Sequence, residues 1–164
     1  MTTCSVATPA RPLPPLADYA DNVFSQFGED GIIAEILRRT GLGSGEPLWC
    51  VELGAWDGYH LSNTRRLIES REARAVLIEA SRSRYKELVE SCKGRAGLTP
   101  IHAMVEAEGP SSLDSLLART ACPEAFDLLS LDIDGIDYWV WASMQRYRPA
   151  LVVIEYLPTI PYKM

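Results

Sequence analysis

The chain has 164 residues, 47% hydrophobic and 23% charged, which suits one globular domain that needs no disulfide or metal staple. Its 16 basic against 22 acidic side chains give a net charge of −6, the wrong sign for a phosphate-backbone partner, so nucleic acid is excluded. No apolar run approaches a membrane span, the N-terminus lacks a signal-peptide pattern, and the cysteines (Cys4, Cys50, Cys92, Cys122) form no C-x-x-C pair. No membrane partner and no zinc site are therefore expected, and the reading is reduced thiols in a cytoplasmic protein.

Residues 1–17 carry Pro9, Pro12, Pro14 and Pro15 with no apolar period and read as a disordered or extended arm. Residues 18–164 then form the domain. Ile32, Ile33, Ile36 and Leu37 recur at helical spacing between Asp30 and Thr40, and Gly41 is placed to stop that helix. A turn through Gly43, Ser44, Gly45 and Pro47 feeds a first strand over 48–53. Ser62 or Asn63 can cap a helix reaching about Ser70, and 75–79 is a short buried strand. Ser81 can cap a helix with Tyr85, Leu88, Val89 and Cys92 on one face. Residues 98–105 read as a weaker third strand, and Ser111 with Asp114 has capping-box spacing. A fourth strand covers 126–132, a helix 138–147 and a fifth strand 151–155. Near-continuous apolar strands separated by amphipathic helices define an α/β, doubly wound, mostly parallel sheet.

In such sheets ligands sit beyond the carboxyl ends of the strands, where the winding reverses. Glu52, Glu79 and Asp132 fall at strand ends, and an acid closing an apolar strand needs a partner or solvent. Gly54 and Gly58 flank Ala55-Trp56-Asp57, a spacing that lets the backbone approach a ligand but equally serves a plain strand-to-helix turn. Glu79 is placed to accept hydrogen bonds from a ribose diol; the other readings are a solvated strand end or a helix-capping acid. Along an extended strand Asp132 and Asp134 point the same way and repel unless a cation, donors or a shared proton intervenes; the other reading is a pair of loop acids capping the helix that follows. Asp137 is the best candidate to cap the helix that follows. His60 could act as a general base, or sit in its loop without a role. Gln26 is either a pocket residue or part of a segment that orients the first helix. Tyr138, Trp139, Trp141 and Tyr147 read as core and helix-packing residues rather than as a substrate platform, with Tyr138 or Trp139 left as a candidate pocket residue.

Ser25-Gln26-Phe27-Gly28-Glu29-Asp30, residues 51–58 with Leu61-Ser62-Asn63-Thr64, residues 127–139 and Val153-Ile154-Glu155-Tyr156 together resemble the FkbM-type class I methyltransferases. The resemblance covers about residues 22–161. It implies a Rossmann-like sheet of about five strands in the order 3-2-1-4-5. It also implies S-adenosylmethionine as cofactor, with Glu52, Gly54, Ala55 and Gly58 around its methionine end. Glu79 would serve its ribose, Asp132 would lie beside it, and O-methyl transfer to a small molecule or sugar would follow. Asp134 and His60 are then the candidate catalytic bases, and no metal ligands are assigned. Leu157 departs from the Asn that the resemblance leads one to expect after Glu155-Tyr156. The family's sixth and seventh strands have no counterpart. The expectation is a fragment, a degenerate gene product or a half completed by another chain, with strand five open to self-association.

Two rival functions follow from the same residues. Asp132-Ile133-Asp134 can be taken as the D-x-D clamp of a metal-dependent nucleotide-sugar glycosyltransferase. Alternatively, the chain is a non-catalytic binding subunit with a vestigial pocket.

Overall fold

A computed structural model describes residues 13–44 and 46–156. Most of the expected arm, together with Cys4, Gly45 and Leu157, lies outside the described residues. Leu16–Tyr19, at the junction between expected arm and domain, form a 3₁₀ turn.

Five parallel strands make one sheet in the order β3-β2-β1-β4-β5, the doubly wound arrangement expected. They are β1 (Trp49–Leu53), β2 (Arg74–Glu79), β3 (Leu98–His102), β4 (Ala125–Leu131) and β5 (Arg148–Ile154). The helices are α1 (Glu29–Thr40), α2 (Arg65–Arg71), α3 (Arg82–Cys92), α4 (Leu113–Leu117) and α5 (Asp137–Ser143).

Two apolar clusters cover the two faces of the sheet. Val51, Leu53, Val76, Ile78, Leu129 and Leu131 pack with Leu113, Leu117, Val140 and Tyr147. On the opposite face Cys50, Ala75, Leu77 and Leu128 pack with Ile33, Leu37, Leu67 and Leu88. Alternation along each strand sends successive side chains to opposite clusters, which is why the strands read as continuous apolar runs. Cys50, Cys92 and Cys122 are buried free thiols. Among the described residues no helix is long and apolar enough to cross a membrane.

Several boundaries differ from the sequence reading, each for a local reason. Gly41 does end α1: it is left-handed, and its N–H returns to the Leu37 carbonyl. The second helix starts at Arg65, because Ser62 Oγ accepts the Thr64 and Arg65 N–H groups. Ser81 stands at the α3 N-cap, yet its hydroxyl pairs with that of Ser83. The third strand ends at His102. A 3₁₀ turn over Gly109–Ser111 delays α4, so Ser112 caps it in place of Ser111. Asp114 is thereby freed to accept from the backbone N–H groups of Gln145, Arg146 and Tyr147. That carboxylate turns the chain after Met144, ending α5 early and starting β5 at Arg148. The expected core role of the aromatic residues holds for Tyr147 alone. Tyr138, Trp139 and Trp141 are exposed, because the short α5 turns Val140 inward and presents these rings on its outer face, with none of the described residues covering them.

Candidate functional site

Beyond the carboxyl ends of the strands lies a cavity of 460 Å³, within the range of small-molecule sites (roughly 300–1,000 Å³). The strand register explains its walls. Leu53 pairs with Ile78 and Leu131, Leu131 with Ile154, and Glu79 with His102. The next residue along β1, β4 and β5 is Gly54, Asp132 and Glu155. These three and Glu79 therefore stand in one row across the sheet, and all four line the cavity.

Gly54 has φ +75°, and its N–H and that of Ala55 both donate to the Ile78 carbonyl. A Cβ on Gly54 would lie 1.9 Å from the Asp132 carbonyl oxygen, so only glycine lets the ends of β1 and β4 approach this closely. Ala55 and Gly58 do not line the cavity. Ala55 is buried and accepts the Gly58 N–H, while Gly58 packs near Leu88. They shape the turn.

Glu52 was expected at the cofactor, but it sits further back, level with Leu77 and Ser130. It is buried beneath the cavity and accepts from Ser62 Oγ (2.8 Å), Asn63 N (2.8 Å) and Thr64 Oγ1 (2.6 Å). Burial raises its pKa against the opposing effect of those donors. Its observed work is to fasten the loop before α2. Glu79 is also buried, but at the cavity wall, accepting from Trp56 N (2.9 Å) and Ser81 N (2.6 Å). Each oxygen retains acceptor capacity after one such bond.

Asp132 and Asp134 do meet, though not by strand alternation. β4 ends at Leu131, and Asp134 is left-handed at φ +56°. Asp137 was expected as the α5 cap. It is the first helical residue instead, and its carboxylate folds the loop back by accepting from Ile133 N (2.9 Å) and Gly135 N (3.0 Å). Carboxylate oxygens of Asp132, Asp134 and Glu155 then lie within 4.8 Å of one another. Among the described residues none of the three forms an ion pair with a basic side chain. Burial, then the Asp134 charge, raises the Asp132 pKa. Burial and the charges of Asp132 and Asp134 push Glu155 up to about 7. One cation, organic or metallic, would neutralise this group.

His60 lines the same cavity, with its ring against Trp56 and Nδ1 2.6 Å from Asp57 Oδ2. Gln26 also faces the cavity, and the Ser25–Asp30 segment orients α1 as well, so both readings of it apply. Asp30 Oδ2 accepts the N–H groups of Val23, Phe24 and Ser25 and the Ser25 hydroxyl. Sequence reasoning missed Glu155 and Arg84 as cavity residues. Arg84 lies over the Trp56 ring, 4.3 Å from its centroid, and nothing in its spacing distinguishes it from other helix surface cations. Glu155 closes an apolar strand as Glu79 does, so the signal was present.

No family model and no curated protein matches the chain. Solved structures do. A candidate sarcosine dimethylglycine methyltransferase from Galdieria sulphuraria aligns at 17% identity with a TM-score of 0.53, over 76% of this chain and 45% of that one. WbdD aligns at 17% identity and a TM-score of 0.53, over 78% of this chain and 28% of its own. At such identities the likeness concerns the fold, and the fold is the Rossmann-like methyltransferase fold. The chain spans less than half the length of either protein.

Proposed function

We propose that this cavity binds S-adenosylmethionine and that the chain takes part in methyl transfer to an oxygen of a small molecule or sugar, as an FkbM-type methyltransferase. The observation that carries the reading is the row of cavity carboxylates. Asp132, Asp134 and Glu155 crowd together with no basic side chain among the described residues paired to them, while Glu79 stands buried at another strand end of the same cavity. A nucleoside bearing a sulfonium and an ammonium group matches that charge.

Bound there, the cofactor supplies an activated methyl group. Glu79 would accept from its ribose hydroxyls, and the glycine turn at Gly54 would allow close approach of the backbone. Asp132 and Glu155 offset its positive charge. The protein's contribution is chiefly to hold donor and acceptor in line, an effect that reaches several kcal/mol. Removal of the acceptor's proton falls to His60 or Asp134. A cytoplasmic location, and self-association or a partner chain at the open edge of β5, belong to the same proposal. Buried free thiols support the location, and β5 pairs only with β4 among the described residues.

Titration with S-adenosylhomocysteine tests it. At 100 times its dissociation constant the ligand should add about 2.7 kcal/mol of stability. Glu79→Ala should weaken its binding at least about tenfold. Unchanged affinity in that variant removes the ribose assignment. Binding that requires Mn²⁺ and a uridine nucleotide instead would establish the glycosyltransferase reading.

A further inference from the structure

The loop between β1 and α2 contains a pair of side chains that cofactor binding alone does not explain. Asp57 Oδ1 accepts the backbone N–H groups of Tyr59 and His60, each at 2.9 Å. Its other oxygen, Oδ2, lies 2.6 Å from His60 Nδ1. Ser91 Oγ donates to the Asp57 carbonyl at 2.6 Å, tying the same residue to α3. Asp57 is thus fixed at main chain and side chain alike. Burial works against its charge, but the donors on His60 and Tyr59 hold its carboxyl below the usual range.

An ionised carboxylate has only acceptor capacity, so His60 Nδ1 must carry the proton in that contact. In the neutral ring the lone pair is then on Nε2. The Trp56 ring lies 5.5 Å away at 32°, restraining the imidazole from its face while Asp57 restrains its edge. His60 shares the cavity wall with Asp132 and Glu79. Its side chain is 71% exposed, so a proton taken up there has a direct exit to water.

We propose that Asp57 is the positioning residue that holds His60 with Nε2 free, as the proton acceptor for the hydroxyl to be methylated. This rests on the cofactor reading above and selects His60 over Asp134. Nε2 takes the hydroxyl proton while the oxygen bonds to the methyl carbon and the carbon–sulfur bond breaks, its electron pair remaining on sulfur. Asp57 then faces an imidazolium and stabilises it. Asp134 lies among like charges, and among the described residues no side chain orients it as Asp57 orients His60.

Nitrogen-15 spectra of the imidazoles give the test, since the chain has only two histidines and His60→Gln assigns the signals. The expected neutral form of His60 has Nδ1 protonated and Nε2 bare. In Asp57→Asn the new side-chain oxygen can still accept from Tyr59 and His60. Its NH₂ group would donate to Nδ1 and move the ring proton to Nε2. The tautomer should therefore invert, while S-adenosylhomocysteine affinity stays within about twofold. Saturation with S-adenosylhomocysteine should shift the His60 signals more than those of His102. A wild-type ring protonated on Nε2, or a tautomer unaltered in Asp57→Asn, overturns the proposal; the wild-type spectrum decides even if the variant does not fold. Bound nucleoside with unmoved His60 signals removes the role of His60 and leaves the cofactor reading standing. No binding at all removes both.

Discussion

The backbones of Gly54 and Asp132 meet where the sheet reverses its winding, so closely that the Asp132 carbonyl oxygen occupies the space a side chain on Gly54 would need. Gly54→Ala would add a clash with main chain to the strain of φ +75°. Unfolding free energy should fall by roughly 2–4 kcal/mol. Denaturant unfolding measures this, and an unchanged midpoint would show that the two strand ends are not apposed.

Glu52 and Glu79 are both buried acids of adjacent parallel strands, yet they should fail differently. Glu52→Ala leaves the Ser62 and Thr64 hydroxyls and the Asn63 N–H without their acceptor, a loss of about 3 kcal/mol. Glu52→Gln keeps one acceptor oxygen and should cost less. Because Glu52 lies beneath the cavity, the Gln variant should bind S-adenosylhomocysteine within about threefold of wild type. A larger loss than in Glu79→Ala would place Glu52 at the cofactor after all.

That contrast shows where sequence reasoning stops. The period of the apolar residues set out five strands and the end of the sheet at which the cavity lies. Acids closing apolar strands pointed to Glu79 and Asp132. Depth along a strand was not legible, because it depends on register with neighbours far away in the chain; Glu52 was therefore placed in the cavity and Glu155 overlooked. Asp132 and Asp134 were paired for the wrong reason, since the turn held by Asp137 brings them together. The Asp57–His60 contact depends on the loop geometry after Trp56, itself left-handed at φ +46°, which no spacing rule conveys.

Glu155 makes stability depend on pH, and the sign follows from its surroundings. Its carboxyl is raised from 4.5 to about 7, by burial first and then by the charges of Asp132 and Asp134. Between those two values the folded protein keeps a proton that the unfolded chain has lost, so unfolding free energy declines as pH rises. The stability linked to that proton is complete below pH 4.5 and disappears as pH passes through about 7. The raised Asp132 acts in the same direction. The thermal midpoint of the ligand-free protein should thus drop on going from about pH 5.5 to about pH 8. Glu155→Gln should flatten that slope without needing a ligand. A cation bound among these carboxylates would expel the proton, so S-adenosylmethionine should release more protons than S-adenosylhomocysteine when calorimetry compares buffers of different ionisation enthalpy. An equal slope in Glu155→Gln would show that the crowded carboxylates do not share their charge as the geometry requires. Equal proton release by the two nucleosides would place the sulfonium away from them.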